Sequence, residues 1–372
     1  MADAVERFVG LMSGTSMDGV DGVLVAFEGD GLRVEAHACR PFTPALRAEM
    51  LALNTAGADE LHRAALAANA LARIYADVVQ ALLTQAGRSA ADIQAVGAHG
   101  QTVRHRPGAF DGTGYTLQLN NPALLAELSG IDVVADFRSR DLAAGGQGAP
   151  LVPAFHREVF GQAKATVCVL NVGGISNLSV LTPDGGVMGF DCGPGNALMD
   201  HWCQLHTGEL FDRAGTWAAG GKVVAPLLET LMSEPYLGKA PPKSTGRDLF
   251  NAQWLALHLA GSSDAAPRDV QATLLEFTTL ACAADVRRHA PNCTNLLVCG
   301  GGALNTALMQ RLQSALPNVA VSSTAQKGLP PLQVEAAAFA WLARKAVHRE
   351  NAGLQSVTGT RGARVLGAIY PR

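Results

Sequence analysis

The chain has 372 residues, 48% of them hydrophobic, and is long enough for two domains with sizeable cores. Its net charge of −3, without a basic stripe among aromatic residues, argues against nucleic acid as a partner. The first residues lack the basic and apolar regions of a signal peptide, and no apolar run reaches spanning length, so we expect a soluble protein with no membrane partner. The seven cysteines form an odd, scattered set without a Cys-x-x-Cys pair, which is typical of reduced thiols in the cytoplasm.

The first predicted element is a hairpin, with strands at residues 8–12 and 20–27 and a turn at residues 13–19. The turn contains glycines and hydroxyl side chains, which offer donors to an anion. Asp18 and Asp21 add carboxylates that suit Mg²⁺, bound directly or through water. A structural hairpin needs no such combination, so we favour a phosphate loop over a purely structural turn.

Polar residues follow the next two predicted strands. Residues 93–98 predict a strand that ends in His99-Gly100-Gln101-Thr102, a set that suits hydroxyl recognition. A histidine hydrogen-bonded in place is the alternative, and His99 with His105 is too little for a metal site. Residues 131–135 predict a strand followed by Asp136-Phe137-Arg138-Ser139-Arg140-Asp141. These charges fit a solvated ion-pair cluster or a set that orients a ligand, and the sequence leaves both open.

The second half of the chain repeats the order of the first. The glycine-rich tract at residues 143–150 predicts a hinge, so we expect domains at residues 1–142 and 143–372, with a C-terminal segment that could return to the first. A strand, the turn Asn171-Val172-Gly173-Gly174-Ile175-Ser176-Asn177 and another strand follow. Two such hairpins, one opening each domain, could hold a polyphosphate from both sides of a cleft.

The stretch at residues 187–196 carries the clearest chemistry. An apolar run ends in Asp191, Gly193-Pro194-Gly195 follows, and Asn196 opens a helical pattern that Gly208 closes. We expect Asp191 at the carboxyl end of a strand, facing a helix amino terminus whose free amides favour anions. A carboxylate placed there could act as a base on a bound ligand. An Asx turn, in which Asp191 bonds only backbone, fits these residues equally well.

Three later features of the sequence each allow more than one interpretation. Lys243 and Arg247, in a loop-rich region, are phosphate partners or surface charges. Gly300-Gly301-Gly302 follows a buried-type strand and would let a flat ring or a phosphate approach the backbone, although it is neither a Rossmann fingerprint nor a Walker motif. Glu335, near the start of the last long helix, would by itself be a complement to the helix dipole.

Several of these motifs together resemble the anhydro-N-acetylmuramic acid kinase family, from about residue 8 to the C-terminus. The motifs are Gly14-Thr15-Ser16-Met17-Asp18-Gly19-Val20-Asp21, His99-Gly100-Gln101-Thr102, Asn171-Val172-Gly173-Gly174-Ile175-Ser176-Asn177, Phe190-Asp191-Cys192-Gly193-Pro194-Gly195-Asn196 and Gly300-Gly301-Gly302. The position of Cys192 is often threonine in the family. That departure concerns a neighbour of Asp191 and not Asp191 itself.

The resemblance implies an α/β fold of the sugar-kinase and actin superfamily, a duplicated ribonuclease H-like fold with ATP and Mg²⁺ in the interdomain cleft. It also implies a double reaction on an amino sugar. Water opens the 1,6-anhydro bridge of anhydro-N-acetylmuramic acid, and the freed 6-oxygen takes the γ-phosphoryl group of ATP. The product would be N-acetylmuramate 6-phosphate, formed in the cytoplasm during peptidoglycan recycling. The assembly is left open, with a homodimer as one possibility.

The resemblance also implies roles for single residues. Asp191 would be the base that activates the water. The nucleotide would be bound by Gly14, Thr15, Ser16, Met17, Asp18, Gly19, Val20, Asp21, Gly173, Gly174, Gly300, Gly301 and Gly302, with Asp18 and Asp21 holding the metal. The substrate would be bound by His99, Gln101, Thr102, Asp136, Arg138, Asn171 and Glu335. The alternatives are another sugar kinase of the superfamily, acting on a free hydroxyl, and an actin- or chaperone-like ATP-binding module.

Overall fold

The computed structural model describes residues 5–14, 17–29, 31–246, 249–262 and 264–372. The chain divides into two compact units, Met1–Val159 with Gln333–Arg372, and Phe160–Leu332. The division lies later than the boundary expected after residue 142. The tract at residues 143–150 stays in the first unit because the buried Asp141 carboxylate accepts hydrogen bonds from the Gly148 amide at 2.7 Å and the Thr358 hydroxyl at 2.8 Å. The C-terminal segment thus holds this tract.

Twelve strands are found in the described residues. They are β1 (Glu6–Ser13), β2 (Gly19–Glu28), β3 (Gly31–Pro41), β4 (Ala95–Pro107), β5 (Gly114–Leu119), β6 (Val133–Ala135), β7 (Thr166–Val172), β8 (Ile175–Leu181), β9 (Val187–Pro194), β10 (Cys293–Cys299), β11 (Ala320–Ser323) and β12 (Ala368–Tyr370).

The helices of the same residues surround the two sheets. They are α1 (Pro44–Ala52), α2 (Glu60–Ala86), α3 (Pro122–Ser129), α4 (Ser139–Ala143), α5 (Val152–Phe160), α6 (Ala197–Thr207), α7 (Thr216–Ala219), α8 (Ala225–Met232), α9 (Ala252–Leu259), α10 (Pro267–His289), α11 (Thr306–Ala315), α12 (Val334–Val347) and α13 (Gln355–Thr358).

The two units contain sheets of the same topology. In the first unit the order is β3-β2-β1-β4-β6-β12, with β5 paired to β4, and in the second it is β9-β8-β7-β10-β11. In each sheet the first three strands are antiparallel, and the next two run parallel to the first. This repeated order confirms the predicted α/β fold with a duplicated ribonuclease H-like architecture. The predicted hairpins β1–β2 and β7–β8 open the two sheets in equivalent places.

Helix α12 lies directly on the first sheet. An ideal Cβ at Gly10 of β1 would collide with the Ala336 carbonyl, and one at Gly97 of β4 would collide with the Phe339 carbonyl. Farther along the helix, Arg344 donates to Glu6 at 2.9 Å, so α12 runs antiparallel to β1. Its first turn therefore lies toward the end of β1, where the predicted phosphate turn begins.

Helix α2 does not fit the expectation that no apolar run of the chain is long enough to span a membrane. It has 27 residues and a hydropathy of 1.3 in its most apolar window, so by length and composition it could cross a membrane. In the structure it covers the other face of the first sheet, with Leu71, Tyr75 and Val78 fully buried. The Tyr75 hydroxyl accepts a hydrogen bond from the Gly100 amide at 3.0 Å. The helix is thereby tied to the strand that carries the predicted hydroxyl-recognition residues.

Candidate functional site

In the first unit, Gln101 connects β4 to the predicted phosphate turn. Gln101 is fully buried, and the Ser13 hydroxyl donates to its Oε1. Its Nε2 donates to the Gly14 carbonyl at 3.2 Å. Gln101 therefore positions the start of the turn, a role that the sequence did not indicate. Thr15 and Ser16, the hydroxyl residues of the turn, lie outside the described residues.

Other residues of the turn have structural reasons for their identity. Met17 and Val20 are buried in the core, and the Met17 amide donates to the Gly14 carbonyl at 3.2 Å. Gly19 begins β2, where an ideal Cβ would collide with the Arg40 carbonyl. The side chains of Met17 and Val20 thus belong to the core, with Met17 in the turn and Val20 already in β2.

The two carboxylates predicted to hold a metal are accessible. Asp18 is exposed, and the Asp21 side chain is 49% exposed, with Oδ1 3.4 Å from His37 Nε2. Within the described residues, no group of three or more His, Cys, Asp or Glu side chains could hold a metal. The pair suits only a metal that takes most of its ligands from phosphates and water, as Mg²⁺ commonly does.

His99 is buried and pairs with the half-buried Arg138. Arg138 donates from Nε and Nη2 to His99 Nε2 at 3.1 and 2.9 Å, and from Nη1 to the Gly148 carbonyl at 2.7 Å. Burial and then the Arg138 charge lower the pKa of His99 to about 3. The ring is therefore neutral, with Nε2 as acceptor and the proton on Nδ1.

The surroundings of this pair bring some predicted residues together. Strand β4 continues to Pro107 instead of ending at residue 98, because its second half pairs antiparallel with β5. The His99 ring lies 4.7 Å from the Phe339 ring of α12, one turn beyond the half-buried Glu335. Sequence spacing did not indicate that His99 packs against α12, the helix that carries Glu335.

Thr102 and Asp136 have local partners instead. The Thr102 hydroxyl accepts from Gln118 Nε2 at 3.2 Å. Asp136 is exposed, and its Oδ1 accepts from the Ser139 amide at 3.3 Å, at the start of α4. Asp136 also has a φ of 57°, a conformation that aspartate tolerates in turns.

In the second unit, Asp191 lies inside β9 and not at its carboxyl end as expected. The strand continues to Pro194 because β8 pairs with it through Gly193 and Pro194. The Asp191 carboxylate accepts from the Thr245 amide at 3.0 Å, and its backbone carbonyl accepts from the Tyr236 hydroxyl at 2.8 Å. Burial and then the Asp191 charge raise the pKa of Tyr236, so this hydroxyl stays protonated.

The β7–β8 turn takes up three backbone amides at the amino terminus of α6. The amides of Gly195 and Ala197 donate to the Gly174 carbonyl, and the Asn196 amide donates to the Gly173 carbonyl, at 2.7 to 3.1 Å. The Asn196 side chain donates to the Val172 carbonyl at 3.0 Å and does not cap the helix. Donors expected to face a ligand are thus satisfied by the β7–β8 turn.

The glycine turns offer room for a ligand at particular positions only. Ideal Cβ atoms at Gly300 and Gly302 would collide with Asn171 and Val172, so packing requires both glycines. Gly301 is exposed, and its ideal Cβ would come no closer than 3.4 Å to Asn196 Nδ2.

Two neighbouring features of the β7 end also fit a ligand. The ideal Cβ at Gly173 would meet only the Ile175 carbonyl, at 3.6 Å. Asn171 is 6% exposed, and its Oδ1 has no hydrogen-bond partner among the described atoms. Gly173 and Gly301 therefore leave room for a ligand, and Asn171 offers it a hydrogen-bond acceptor.

Lys243 is neither a surface charge nor an exposed phosphate partner. Its Nζ lies 3.0 Å from Asp285 Oδ2, and the two side chains are 2% and 3% exposed. Sequence reasoning missed Asp285, which follows 42 residues later, and missed Tyr236 and Thr245 beside Asp191. The loop-rich composition around Lys243 gave no sign of this partner. Arg247 lies outside the described residues.

The model of the family described as anhydro-N-acetylmuramic acid kinase matches residues 6–372. The chain belongs to this family. It is 64% identical over 373 residues to the anhydro-N-acetylmuramic acid kinase of Variovorax paradoxus (strain S110), covering 99% of this chain and 100% of that one. It is 58% identical over 371 residues to that of Bordetella pertussis, covering 98% and 96%. The predicted resemblance and enzyme class, a kinase, are confirmed.

The solved structures that match this chain are much less similar to it than these relatives are. A dehydratase activator from Clostridium difficile with bound ADPNP has a TM-score of 0.44 at 12% identity, covering 90% of this chain and 92% of that one. A ROK family glucokinase from Streptomyces griseus in complex with glucose and AMPPNP has a TM-score of 0.42 at 12% identity, covering 91% and 99%. These scores support no argument about the kinase, whose fold follows from its own sheet topology.

The neutral state of His99 makes the kinase sensitive to acid. Between the ordinary pKa of 6.5 and about 3, the unfolded chain binds a proton at His99 that the folded chain does not, so stability falls as the pH drops. His105 and His156, whose pKa values burial also lowers, act in the same direction.

We expect His99→Asn to reduce the slope of unfolding free energy against pH by about 1.4 kcal/mol per pH unit in this range. Exposed His62 provides the control, and His62→Asn should keep the wild-type slope. Urea unfolding at stepped pH measures both variants. A slope unchanged by His99→Asn would show that His99 is charged in the folded protein.

Proposed function

We propose that the protein is an ATP-dependent kinase that hydrolytically opens 1,6-anhydro-N-acetylmuramic acid and phosphorylates it to N-acetylmuramate 6-phosphate. The proposal rests on the family match over residues 6–372 and on relatives of this name at up to 64% identity. The reaction belongs to peptidoglycan recycling and amino-sugar metabolism. Family membership favours it over another sugar kinase and over an actin- or chaperone-like module.

The substrate decides what the base must do. An ordinary sugar kinase takes a proton from a free hydroxyl, whose oxygen then attacks phosphorus. An anhydro sugar has no free 6-hydroxyl, so the base takes a proton from water, whose oxygen bonds to the anomeric carbon. The bond from that carbon to the 6-oxygen breaks, and the 6-oxygen bonds to the γ-phosphorus as ADP leaves.

Asp191 is the residue that we assign as this base. Its carboxylate is held by the Thr245 amide, and its backbone is held by Tyr236, so its position is defined from two sides. A base fixed in this way needs little reorganisation when the water attacks. Cys192 beside it is buried, and burial raises the pKa of its thiol, so it does not compete as a nucleophile.

Asp191→Asn is expected to lower kcat by about 100- to 10,000-fold, the range for loss of a general base, with ATP binding retained. Asp184→Asn, an exposed residue of the β8–β9 turn, is the matched control and should leave kcat unchanged. Steady-state kinetics and calorimetric titration of an ATP analogue measure both quantities. A near-normal kcat for Asp191→Asn would remove this residue from the mechanism.

We assign the nucleotide to the two glycine turns of the second unit and to the first hairpin turn. The room at Gly173 and Gly301 supports this assignment, whereas Gly300 and Gly302 serve packing. For the hairpin turn at residues 14–21, the accessible carboxylates of Asp18 and Asp21 fit Mg²⁺ brought in with the phosphates. When bound, Mg²⁺ would offset charge on the transferring phosphoryl group.

Gly301→Val should weaken ATP binding by about tenfold or more, about 1.4 kcal/mol, because the branched side chain occupies the open side of the turn. Gly261→Val, at another exposed and uncrowded glycine, is the control. Calorimetric titration with a nonhydrolysable ATP analogue, with and without Mg²⁺, gives the affinities. Equal affinity in the Gly301 variant would exclude this turn, and equal affinity without Mg²⁺ would remove the metal from nucleotide binding.

For the amino sugar we assign polar residues in each unit separately. In the first unit, His99 with Arg138, Glu335, Gln101, Thr102 and Asp136 lie on or beside β4, β6 and α12, and in the second, Asn171 offers a buried amide oxygen. Neutral His99 and the Asn171 oxygen suit the hydroxyl and amide groups of the amino sugar.

We place the protein in the cytoplasm. All seven cysteines are free, six of them buried, which fits a reducing compartment. ATP as the phosphoryl donor is in accord with this location. Sedimentation of the full chain would distinguish a monomer from the homodimer that the sequence left open.

The origin of the product oxygens tests the coupled reaction. In a brief reaction in ¹⁸O water, quenched before anomeric exchange, the label should appear at the anomeric oxygen and not in the phosphate ester. The reason is that water attacks the anomeric carbon while the bridging 6-oxygen comes from the substrate. Fragment mass spectrometry locates the label. No anomeric label, or a preference for the ring-opened sugar, would favour an ordinary sugar kinase.

A further inference from the structure

The buried ion pair of Lys243 and Asp285 lies beside Asp191, and no step of the reaction uses it. Lys243 Nζ is 3.0 Å from Asp285 Oδ2, and 5.4 and 5.3 Å from the ring centres of Phe190 and Tyr236. Both rings face the cation, an arrangement that stabilises a buried ammonium group. The lysine is thus held by a carboxylate and by two aromatic rings.

A buried ion pair is seldom retained for stability alone. The cost of removing both charges from water offsets much of their attraction, and well-packed apolar residues are often as stabilising. Asp285 Oδ1 also has Arg288 Nη1 at 3.5 Å and His289 Nε2 at 3.7 Å, but the Arg288 side chain is 48% exposed and remains hydrated, and burial lowers the pKa of His289. Lys243, in contrast, is buried and depends on the Asp285 carboxylate as its counter-charge.

The backbone next to Lys243 holds Asp191 directly. The Asp191 amide donates to the Lys243 carbonyl at 3.2 Å, and the Thr245 amide donates to Asp191 Oδ2 at 3.0 Å. The described residues 239–246 form no helix or strand, so a side-chain anchor has a large effect on where this backbone lies.

Helix α10 supplies the fixed point for this anchor. Asp285 shares one face of α10 with Thr278, whose hydroxyl donates to the Gly195 carbonyl at 3.1 Å. The same helix therefore holds the end of the strand that carries Asp191 and, through Lys243, the segment that binds its carboxylate.

We propose that Lys243 is a positioning residue for Asp191, and that its ion pair with Asp285 fixes residues 243–245 so that the Thr245 amide orients the catalytic carboxylate. This inference rests on the proposed function of Asp191 as the base. It adds to that function a need for the buried Lys243 ammonium group, which takes no part in the chemical steps.

The test compares Lys243→Met with Lys239→Met. Lys239 lies in the same segment and 5.6 Å from the Tyr236 ring, but it is exposed, so it matches the chemical change without the ion pair. We expect Lys243→Met to lower kcat by about 100-fold, the effect of a misplacement of about 1 Å, with KM for both substrates nearly unchanged. Lys239→Met should keep the wild-type kcat.

Hydrogen exchange gives a readout that is independent of activity. In Lys243→Met the Thr245 amide should exchange faster, since its acceptor is no longer held in register, whereas Lys239→Met should retain the wild-type rate. If the wild-type protein lacks the proposed activity, the proposed function fails, but the exchange of Thr245 still decides whether Lys243 positions the segment.

A double variant separates positioning from stability. Lys243→Met with Asp285→Leu removes both charges and should recover the thermal midpoint lost in Lys243→Met, because no unpaired charge remains buried. The inference expects kcat to stay low in this variant. Recovery of kcat together with the midpoint, or wild-type exchange at Thr245 in Lys243→Met, would overturn the inference and leave the pair a structural role only.

Discussion

The second unit depends on backbone hydrogen bonds that join two turns. The Gly173 and Gly174 carbonyls accept the amides of three successive residues at the start of α6, at 2.7 to 3.1 Å. An ideal Cβ at Gly195 would collide with the Gly173 carbonyl, so only glycine permits this approach. The joint connects hairpin β7–β8 to the end of β9 and keeps Asp191 in register opposite Asn177. The Gly-Pro-Gly segment that signals a functional site is thus first a packing requirement.

The two units hold their equivalent hairpin turns with different chemical groups. Each has a hairpin turn at the end of its first strand, beside a parallel strand. Gln101 within β4 is paired with Ser13 in the first unit, and glycines follow β10 beside Asn171 in the second. In the first unit a side chain, Gln101, binds the start of the turn, and in the second the turn carbonyls bind the following helix. Equivalent topology therefore leaves different atoms available to a ligand. This is why Gly173 and Gly301 have room, whereas Met17 and Val20 are committed to the core.

Each unit also has a polar pair of low exposure at a candidate functional residue. Arg138 holds His99 as a neutral acceptor, and Asp285 holds Lys243 in the segment that binds Asp191. Burial makes each pair costly to form and costly to break singly, so each fixes the geometry of its neighbours more firmly than an exposed pair would. In both units, such a pair thus fixes the surroundings of a candidate functional residue.

The sequence by itself determined the features that depend on near neighbours: the two hairpins, the strand before Asp191, the stop at Gly208 and the combination of motifs that identifies the family. These follow from local backbone preferences and from short motifs. The tertiary structure decided what depends on distant partners. Strand β4 is longer than predicted because β5 pairs with it, and the tract at residues 143–150 belongs to the first unit because Thr358 shares the Asp141 carboxylate. The amides of residues 195–197 have acceptors in the β7–β8 turn. Lys243 is buried because Asp285, 42 residues later, faces it, and no local pattern encodes a pairing between residues that only packing brings together.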